Sequence, residues 1–249
     1  MRVVRVFTGE DVRYGLTDGA SITLISDEPF AAWETEDVIA FAGARLMPPA
    51  MPTKIVCVGV NYRAHALEMG HALPSEPVIF LKPPTAMNAP TGEIHIPDGA
   101  DRVDYEGELA VVMGRRAHRV SESDALTYVL GYTCANDVTA RDLQRKDGQW
   151  ARAKGFDGFC PLGPWVETEV DPSDLLLETY VNGECRQSAR TSDMIFGVPK
   201  LVSFISHVMT LLPGDVVLTG TPSGIGPLLS GDTVEVRIEG IGSLTNRVV

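Results

Sequence analysis

The chain has 249 residues, 44% of them hydrophobic, which is enough to form a stable hydrophobic core without disulfide bonds or structural metals. Its 21 basic and 33 acidic residues give a net charge of −12, which repels phosphate backbones and excludes nucleic acid as an expected partner. The scattered cysteines exclude structural zinc, and the charged start and interrupted apolar stretches exclude a signal peptide and a membrane span. We therefore expect a cytoplasmic protein in which any anionic ligand meets a local group of cations.

The first fifty residues favour a small β-containing unit. Three short apolar segments are separated by turns rich in Gly and Asp, and they lie at 3–7, 12–16 and 21–25. A short helix is predicted over 35–41. A proline-rich stretch at 46–52 then marks a boundary, so we predict a small N-terminal domain at 1–50 and a catalytic domain at 51–249.

The rest of the chain is predicted to be rich in strands. Eight further segments contain mainly Val, Ile, Leu and Tyr between Gly and Pro, at 55–58, 78–81, 108–113, 128–135, 176–181, 216–219, 233–238 and 244–248. One helix is predicted over 200–212, because apolar side chains recur there every three or four positions. Many strands with few long helices indicate a β-rich α+β fold, a sandwich or rolled sheet rather than a doubly wound sheet.

Within the predicted catalytic domain, an acidic motif at 104–108 leads into a predicted strand. Alternate side chains of a strand share a face, so Glu106 and Glu108 would lie side by side and repel each other unless a cation intervenes. Asp137 follows another apolar run that could lie beside the first. Three carboxylates suit a hard cation such as Mg²⁺ or Mn²⁺. The alternative is a solvated sheet surface without a metal.

A second motif, at 59–69, follows an apolar strand. Asn61 would cap a short helix, and His65 and Glu68 would then share a face three positions apart. A carboxylate in that position fixes the tautomer of the imidazole, which suits a general base acting on water. The alternative is a surface helix with an incidental pair.

A third motif places Asp137 at a strand end, just before a helix. Arg141 and Gln144 would share one face of that helix, where Arg141 could clamp a substrate carboxylate and Gln144 could donate to an oxyanion. The alternative is an ion pair between Arg141 and Asp142 or Asp147 on a solvated face.

Two lysines and one loop complete the candidates. Lys154 lies in a loop of glycine and aromatic residues, where it could bind an anionic oxygen beside a metal. Lys82 ends an apolar strand before two prolines, an unexpected place for a surface charge. The glycine-rich segment 220–226 lacks the lysine of a phosphate loop, so we exclude nucleotide binding and expect its N–H groups and Thr221 to meet a small anion.

Together these segments resemble the fumarylacetoacetate hydrolase superfamily, from about residue 54 to residue 249. Six family-like blocks occur in one order, at 59–68, 80–83, 104–109, 136–144, 154–157 and 218–224. The resemblance implies a rolled mixed β-sheet, a homodimer, and Mg²⁺ or Mn²⁺ held by Glu106, Glu108 and Asp137. The catalytic residues that it implies are His65, Glu68, Lys154 and Gln144. The substrate-binding residues that it implies are Arg141, Lys82, Thr221 and Tyr62.

The chemistry that the resemblance implies is a metal-stabilised enolate of a small anionic 2-oxo acid. Water activated by His65 and Glu68 would cleave a C–C bond of an acylpyruvate, which is the reaction we expect. Two alternatives stay open: decarboxylation or tautomerisation of oxaloacetate, and isomerisation of 2-hydroxyhepta-2,4-diene-1,7-dioate in aromatic catabolism. A non-catalytic binder is a further alternative, and the net charge opposes a metal-dependent nuclease.

Overall fold

A computed structural model describes residues 1–70 and 72–249. The strands in these residues are β1 (Arg2–Phe7), β2 (Val12–Thr17), β3 (Ser21–Ile25), β4 (Thr35–Ala40), β5 (Arg45–Met47), β6 (Ile55–Val58), β7 (Ile79–Lys82), β8 (Met87–Asn88), β9 (Glu93–Ile94), β10 (Val103–Tyr105), β11 (Gly107–Met113), β12 (Val129–Asn136), β13 (Thr139–Ala140), β14 (Cys160–Glu167), β15 (Leu176–Val181), β16 (Glu184–Arg190), β17 (Val216–Leu218), β18 (Gly226–Pro227), β19 (Thr233–Ile238) and β20 (Gly242–Val248). The α-helices are α1 (Arg63–Glu68), α2 (Arg141–Asp147), α3 (Ala151–Lys154) and α4 (Val198–Val208), and short 3₁₀ turns lie at Pro84–Ala86, Ala125–Tyr128, Pro172–Asp174 and Thr191–Asp193. The predicted β-rich α+β class is confirmed.

In the described part of the chain, the strands form three sheets. The largest has 12 strands, in the order β4-β3-β2-β1-β14-β12-β11-β17-β6-β7, with β5 on β1 and β8 on β14. A second sheet has the order β16-β15-β19-β20-β9, and a third the order β13-β10-β18. No helix in the two described ranges is long and apolar enough to cross a membrane.

Strand β11 lies between β12 and β17 in the large sheet and is buried along its whole length. Leu109, Val111 and Met113 face one apolar cluster, which includes the buried side of α4. Ala110 and Val112 face a second cluster on the other side of the sheet. Because both faces are covered, the acidic residues at the start of this strand are carried into the interior.

The N-terminal strands belong to the large sheet. Strand β1 pairs antiparallel with β2 and β5, and its first residues pair with β14, where Arg2 lies opposite Glu167. The division at residue 50 stays a prediction, since the hydrogen-bonded sheet runs through both parts.

The helix predicted over 35–41 is wrong. This segment is the strand β4, in which Ile39 lies opposite Ile22 of β3. Ile39 packs against a small apolar cluster under the N-terminal strands. The segment is short, so its apolar spacing does not separate a helix from a strand, and the free edge of β3 decides between them.

Two long strands were not predicted. Prolines and a glycine interrupt β14, and polar side chains dominate β16, so neither shows an apolar run. The helix predicted over 200–212 exists but begins earlier, with Pro199 in its first turn, and ends at Val208.

Candidate active site

Three buried carboxylates meet at the start of β11. Glu106, Glu108 and Asp137 each offer a ligand oxygen, and these oxygens lie within 4.8 Å of one another. The predicted neighbourhood of the two apolar runs is confirmed, because β11 pairs with β12 and Gly107 lies opposite Asn136. The backbone N–H of Asp137 donates to the carbonyl of Glu106 (2.8 Å), which locks the two ligands together. The alternative of a solvated sheet surface is therefore wrong.

Buried cations surround two of these carboxylates. Lys154 Nζ donates to Glu106 Oε2 (2.7 Å) and to Asp137 Oδ2 (2.6 Å), and Arg141 pairs with Glu106. Lys82 Nζ donates to Asp137 Oδ1 (2.6 Å). Burial opposes ionisation of Glu106, but Lys154 and Arg141 outweigh it and lower the pKa of Glu106 to about 2. Glu106 is therefore a carboxylate at neutral pH.

Glu108 has a different environment. Its Oε2 accepts the backbone N–H of Gly220 (2.7 Å), and no cationic side chain among the described residues forms an ion pair with it. Burial, followed by repulsion from Asp137 and Glu106, raises the pKa of Glu108 well above its ordinary value. The glycine-rich loop thus offers an N–H group to a carboxyl group of the protein itself.

The donor set of this cluster fits a divalent cation. Four buried carboxylates face three buried cations at this place, namely Asp104, Glu106, Glu108 and Asp137 against Lys82, Arg141 and Lys154. The exposed Arg102 is a fourth cation and also pairs with Asp104, so Glu108 is the one of these four carboxyl groups that has no ion-pair partner among the described residues. Glu108 lies among three oxygen donors that can share one ion. Hard oxygen ligands of this kind suit Mg²⁺ or Mn²⁺.

The backbone between the two glutamates is held by a residue that sequence reasoning missed. Gln187 Oε1 accepts the N–H of Gly107 (3.0 Å), and its Nε2 donates to Thr221 Oγ1 (2.8 Å). Thr221 Oγ1 donates to the carbonyl of Gly107 (2.9 Å). A Cβ at Gly107 would lie 2.0 Å from Thr179 Oγ1, so a side chain does not fit there. Gln187 lies in a polar strand of another sheet, and no local pattern points to it.

His65 and Glu68 form the predicted pair on α1. His65 Nδ1 lies 2.8 Å from Glu68 Oε2, and Glu68 Oε1 accepts the backbone N–H of Gly224 (3.0 Å). His65 is buried and lines the same cavity as the three carboxylates. His65 therefore lies at the cavity rather than on a solvated helix face, and the catalytic role of the pair stays a prediction.

The predicted capping role of Asn61 is wrong. Helix α1 has no side-chain hydrogen bond at its N-terminus. The Asn61 amide instead donates to the carbonyls of Thr219 (2.7 Å) and Phe196 (3.0 Å). These bonds tie the start of α1 to the loop after β17, which brings His65 to the cavity.

Arg141 does not form the surface ion pairs considered as an alternative. Its Nε donates to Asp104 Oδ2 (2.9 Å), its Nη2 pairs with Glu106, and its Nη1 donates to Gln144 Oε1 (2.6 Å). Arg141 is 3% exposed. Most of its donors are already used, and its role as a substrate clamp stays a prediction.

A cavity of about 260 Å³ lies in front of the carboxylates. Eight predicted site residues line it, namely His65, Glu106, Glu108, Asp137, Arg141, Gln144, Lys154 and Thr221. Further lining residues were not predicted as site residues, and they are Val58, Gly59, Val60, Met69, Phe80, Arg145 and Trp150. Phe80 and Trp150 form part of the wall as an edge-to-face pair with ring centres 5.0 Å apart. Helical spacing could have identified Arg145, which lies four positions after Arg141.

Three predicted site residues lie outside the cavity lining. Glu68 contacts the cavity through His65, and Lys82 supports Asp137 from the interior. Tyr62 is buried, and its hydroxyl has no hydrogen-bond partner among the described residues. Their predicted roles in substrate binding or catalysis stay predictions.

Two family models match this chain. Residues 54–249 match the family model described as fumarylacetoacetate (FAA) hydrolase C-terminal, and residues 1–49 match one described as Rv2993c-like, N-terminal. The structure is similar to that of 5-carboxymethyl-2-hydroxymuconate delta-isomerase from Mycobacterium smegmatis, with 48% identity, 100% of this chain and 99% of that chain covered, and a TM-score of 0.94. It is also similar to 2-hydroxyhepta-2,4-diene-1,7-dioate isomerase from Mycobacterium marinum, with 48% identity, coverage of 100% and 98%, and a TM-score of 0.93.

A curated relative outside the bacteria is the mitochondrial oxaloacetate tautomerase of Bos taurus. It is 43% identical over 216 residues, which are 82% of this chain and 69% of that protein. The match of the family model over residues 54–249 and the agreement of both solved structures over the whole chain support one assignment. This chain belongs to the fumarylacetoacetate hydrolase family.

Proposed function

We propose that this chain is a divalent-metal-dependent enzyme that acts on 2-oxo acids by enolate chemistry, with His65 as the base that moves the proton. One observation carries the proposal: His65, oriented by Glu68, lines the same cavity as Glu106, Glu108 and Asp137. A base beside an oxygen-donor metal site is the arrangement that enolate formation requires.

The three carboxylates would hold the cation, and each neighbouring residue has a defined task. A bound Mg²⁺ or Mn²⁺ would act as a Lewis acid that stabilises the negative charge developing on a 2-oxo acid. Lys154 keeps its proton, because Asp137 and Glu106 outweigh the effect of burial and raise the pKa of its ammonium group. It therefore keeps a positive charge at the cavity wall, and two of its three N–H groups are used by Glu106 and Asp137, which leaves one for a substrate oxygen.

His65 is held with one nitrogen free. Its Nδ1 is occupied by Glu68, so Nε2 is the atom available for proton transfer. Gln144 accepts from Arg141 through its oxygen, which leaves its amide N–H groups free to donate to the substrate. The base and the donor lie on different helices and line one cavity.

The first candidate reaction is hydrolysis of a C–C bond in an acylpyruvate. His65 takes a proton from water as the water oxygen bonds to the acyl carbonyl carbon. The bond between that carbon and the methylene group then breaks, and its electron pair forms the enolate of pyruvate. The proton held by His65 returns to the methylene carbon, so the products are pyruvate and a carboxylic acid. The orientation of His65 by Glu68 supports this candidate.

The second candidate is proton relocation without water, as in tautomerisation or isomerisation. The names of the similar proteins favour it, since two are isomerases of unsaturated 2-hydroxy acids with more than one carboxylate, and one is an oxaloacetate tautomerase. In this reaction His65 would remove a proton from one carbon or oxygen of the substrate and return it to another. Decarboxylation of oxaloacetate would lead to the same enolate.

Three substrates separate these reactions. Purified protein with Mg²⁺, and again with a chelator, is supplied with acetylpyruvate, oxaloacetate and 2-hydroxyhepta-2,4-diene-1,7-dioate. Pyruvate release from acetylpyruvate supports hydrolysis, and pyruvate release from oxaloacetate supports decarboxylation. Spectral change of the enol or dienol without pyruvate supports proton relocation. Activity that persists with the chelator, or no activity on any of the three, contradicts the proposal.

A further inference from the structure

One cation at the cavity differs from the others. Arg145 lies on α2, four positions after Arg141, and lines the cavity while remaining exposed. Within residues 1–70 and 72–249, its guanidinium forms no ion pair or hydrogen bond with another side chain. Its donors are therefore available to a ligand.

The other cations that line the cavity are already engaged. Arg141 binds Asp104 and Glu106, and Lys154 binds Glu106 and Asp137. The protein has a net charge of −12, so an anionic ligand gains nothing from the general field of the surface. A free guanidinium at the cavity provides a local positive charge despite the net negative charge of the protein. Its planar set of N–H groups can form two parallel hydrogen bonds with a carboxylate.

The remaining wall is apolar. Val58, Val60 and Phe80 line the cavity together with Met69 and Trp150. A molecule that fills this space would present one polar end to the acidic cluster and a short carbon chain to the apolar wall. A second polar end, if it is anionic, would find Arg145.

We propose that Arg145 is the specificity-determining residue that binds a second carboxylate, at the end of the substrate opposite to the 2-oxo acid group. The inference rests on the proposed function and narrows it to 2-oxo diacids, including acylpyruvates that end in a carboxylate. A charge-assisted pair at an exposed position would favour the diacid by roughly tenfold over a monoacid of equal length.

The test measures binding of unreactive ligands, so it does not depend on turnover. Calorimetry on the Mg²⁺-loaded protein compares 2-oxo diacids of five, six and seven carbons with 2-oxo monoacids of the same lengths. At one of these lengths the wild-type protein should bind the diacid roughly tenfold more tightly. Arg145→Gln should remove that preference and leave monoacid binding unchanged, and Arg145→Lys should restore part of it.

A neighbouring residue supplies the control. Lys146→Gln removes the same charge from the same helix, but Lys146 does not line the cavity, so the diacid preference should persist. The inference is overturned if the wild-type protein shows no preference at any length, or if Arg145→Gln retains it. If the preference follows Arg145 while the protein converts none of the three substrates named above, the proposed function fails and the binding inference stands.

Discussion

The Nδ1 atom of His65 lies 2.8 Å from the Oε2 atom of Glu68, one turn further along α1. Since a carboxylate only accepts, the imidazole donates this hydrogen bond through Nδ1 and keeps Nε2 for chemistry. His65 also faces the cavity that contains the three carboxylates. The hydrogen bond to Glu68 therefore leaves the Nε2 atom of His65 as the one that could accept a proton in the cavity.

Replacing His65 tests that task directly. His65→Asn should lower the rate of hydrolysis by about 10²–10⁴-fold, because a positioned general base contributes that much. Decarboxylation of oxaloacetate needs no activated water and should fall much less. Steady-state kinetics with acetylpyruvate and oxaloacetate measures both rates on one preparation. Equal losses for the two substrates would count against separate roles.

Replacing Glu106 tests the metal site. Glu106→Gln should abolish detectable Mg²⁺ binding in calorimetry, since it removes one of three anionic ligands. The fold should persist, because Arg141 retains Asp104 and Lys154 retains Asp137. In the wild-type protein, Mg²⁺ at about 100 times its Kd should raise the free energy of unfolding by about 2.7 kcal/mol. A variant that keeps the wild-type affinity would remove the central claim about this cluster.

Glu108 gives a prediction about pH in the metal-free protein. Its folded pKa is raised above the ordinary 4.5, so the folded chain holds a proton that the unfolded chain has lost. Stability should therefore fall as the pH rises from about 4.5 towards the raised value. Glu106 acts in the opposite direction, since its pKa of about 2 contributes stability above 4.5 that is lost as the pH falls towards 2.

The matched variant is Glu108→Gln, whose amide oxygen can still accept the N–H of Gly220. Without metal, this variant should be more stable than the wild-type protein at neutral pH, by on the order of 1 kcal/mol, because it folds without taking up a proton or burying an unpaired charge at this position. The Tm of both proteins is measured from pH 5 to 8 in the presence of a chelator. Parallel curves for the two proteins would show that Glu108 does not control this dependence.

Gln187 should influence the metal without touching it. Gln187→Ala removes the acceptor for Gly107 and the donor to Thr221, so the segment between the two glutamates loses its support. Residues behind a ligand typically change metal affinity by about 10–100-fold, and we expect a weakening of about tenfold in calorimetry. Ser188→Ala, at an exposed neighbour in the same strand, is the control and should bind normally. A Gln187 variant with lower stability and unchanged affinity would leave only a structural role.

The sequence alone was sufficient to predict which residues lie together when they are close in the chain or alternate along one strand. His65 and Glu68 are three positions apart, and Glu106 and Glu108 flank one glycine, so simple periodicities predicted both pairs. Asp137 was predicted because it follows an apolar run that could lie beside the first one, and the two runs do pair as antiparallel strands. The family resemblance is confirmed by the match over residues 54–249.

The cations could not be assigned in the same way. Lys82, Arg141 and Lys154 come from a strand and two helices, and their shared carboxylates become visible only when these elements pack together. The sequence predicted that they would meet a substrate, and the structure places them first against the protein's own acids. Gln187 has no local signal at all, since its partners are 80 and 34 positions away.

The pairing of β1 with β14 has a consequence for any attempt to shorten the chain. A protein that began after residue 50 would lose β1, and the first residues of β1 cover β14 opposite Val166 and Glu167. The uncovered length of β14 would present free N–H and C=O groups to other molecules, and an open edge of this kind invites strand addition between copies. A truncated form should therefore self-associate and precipitate more readily than the 249-residue chain, even with every residue of the cavity in place.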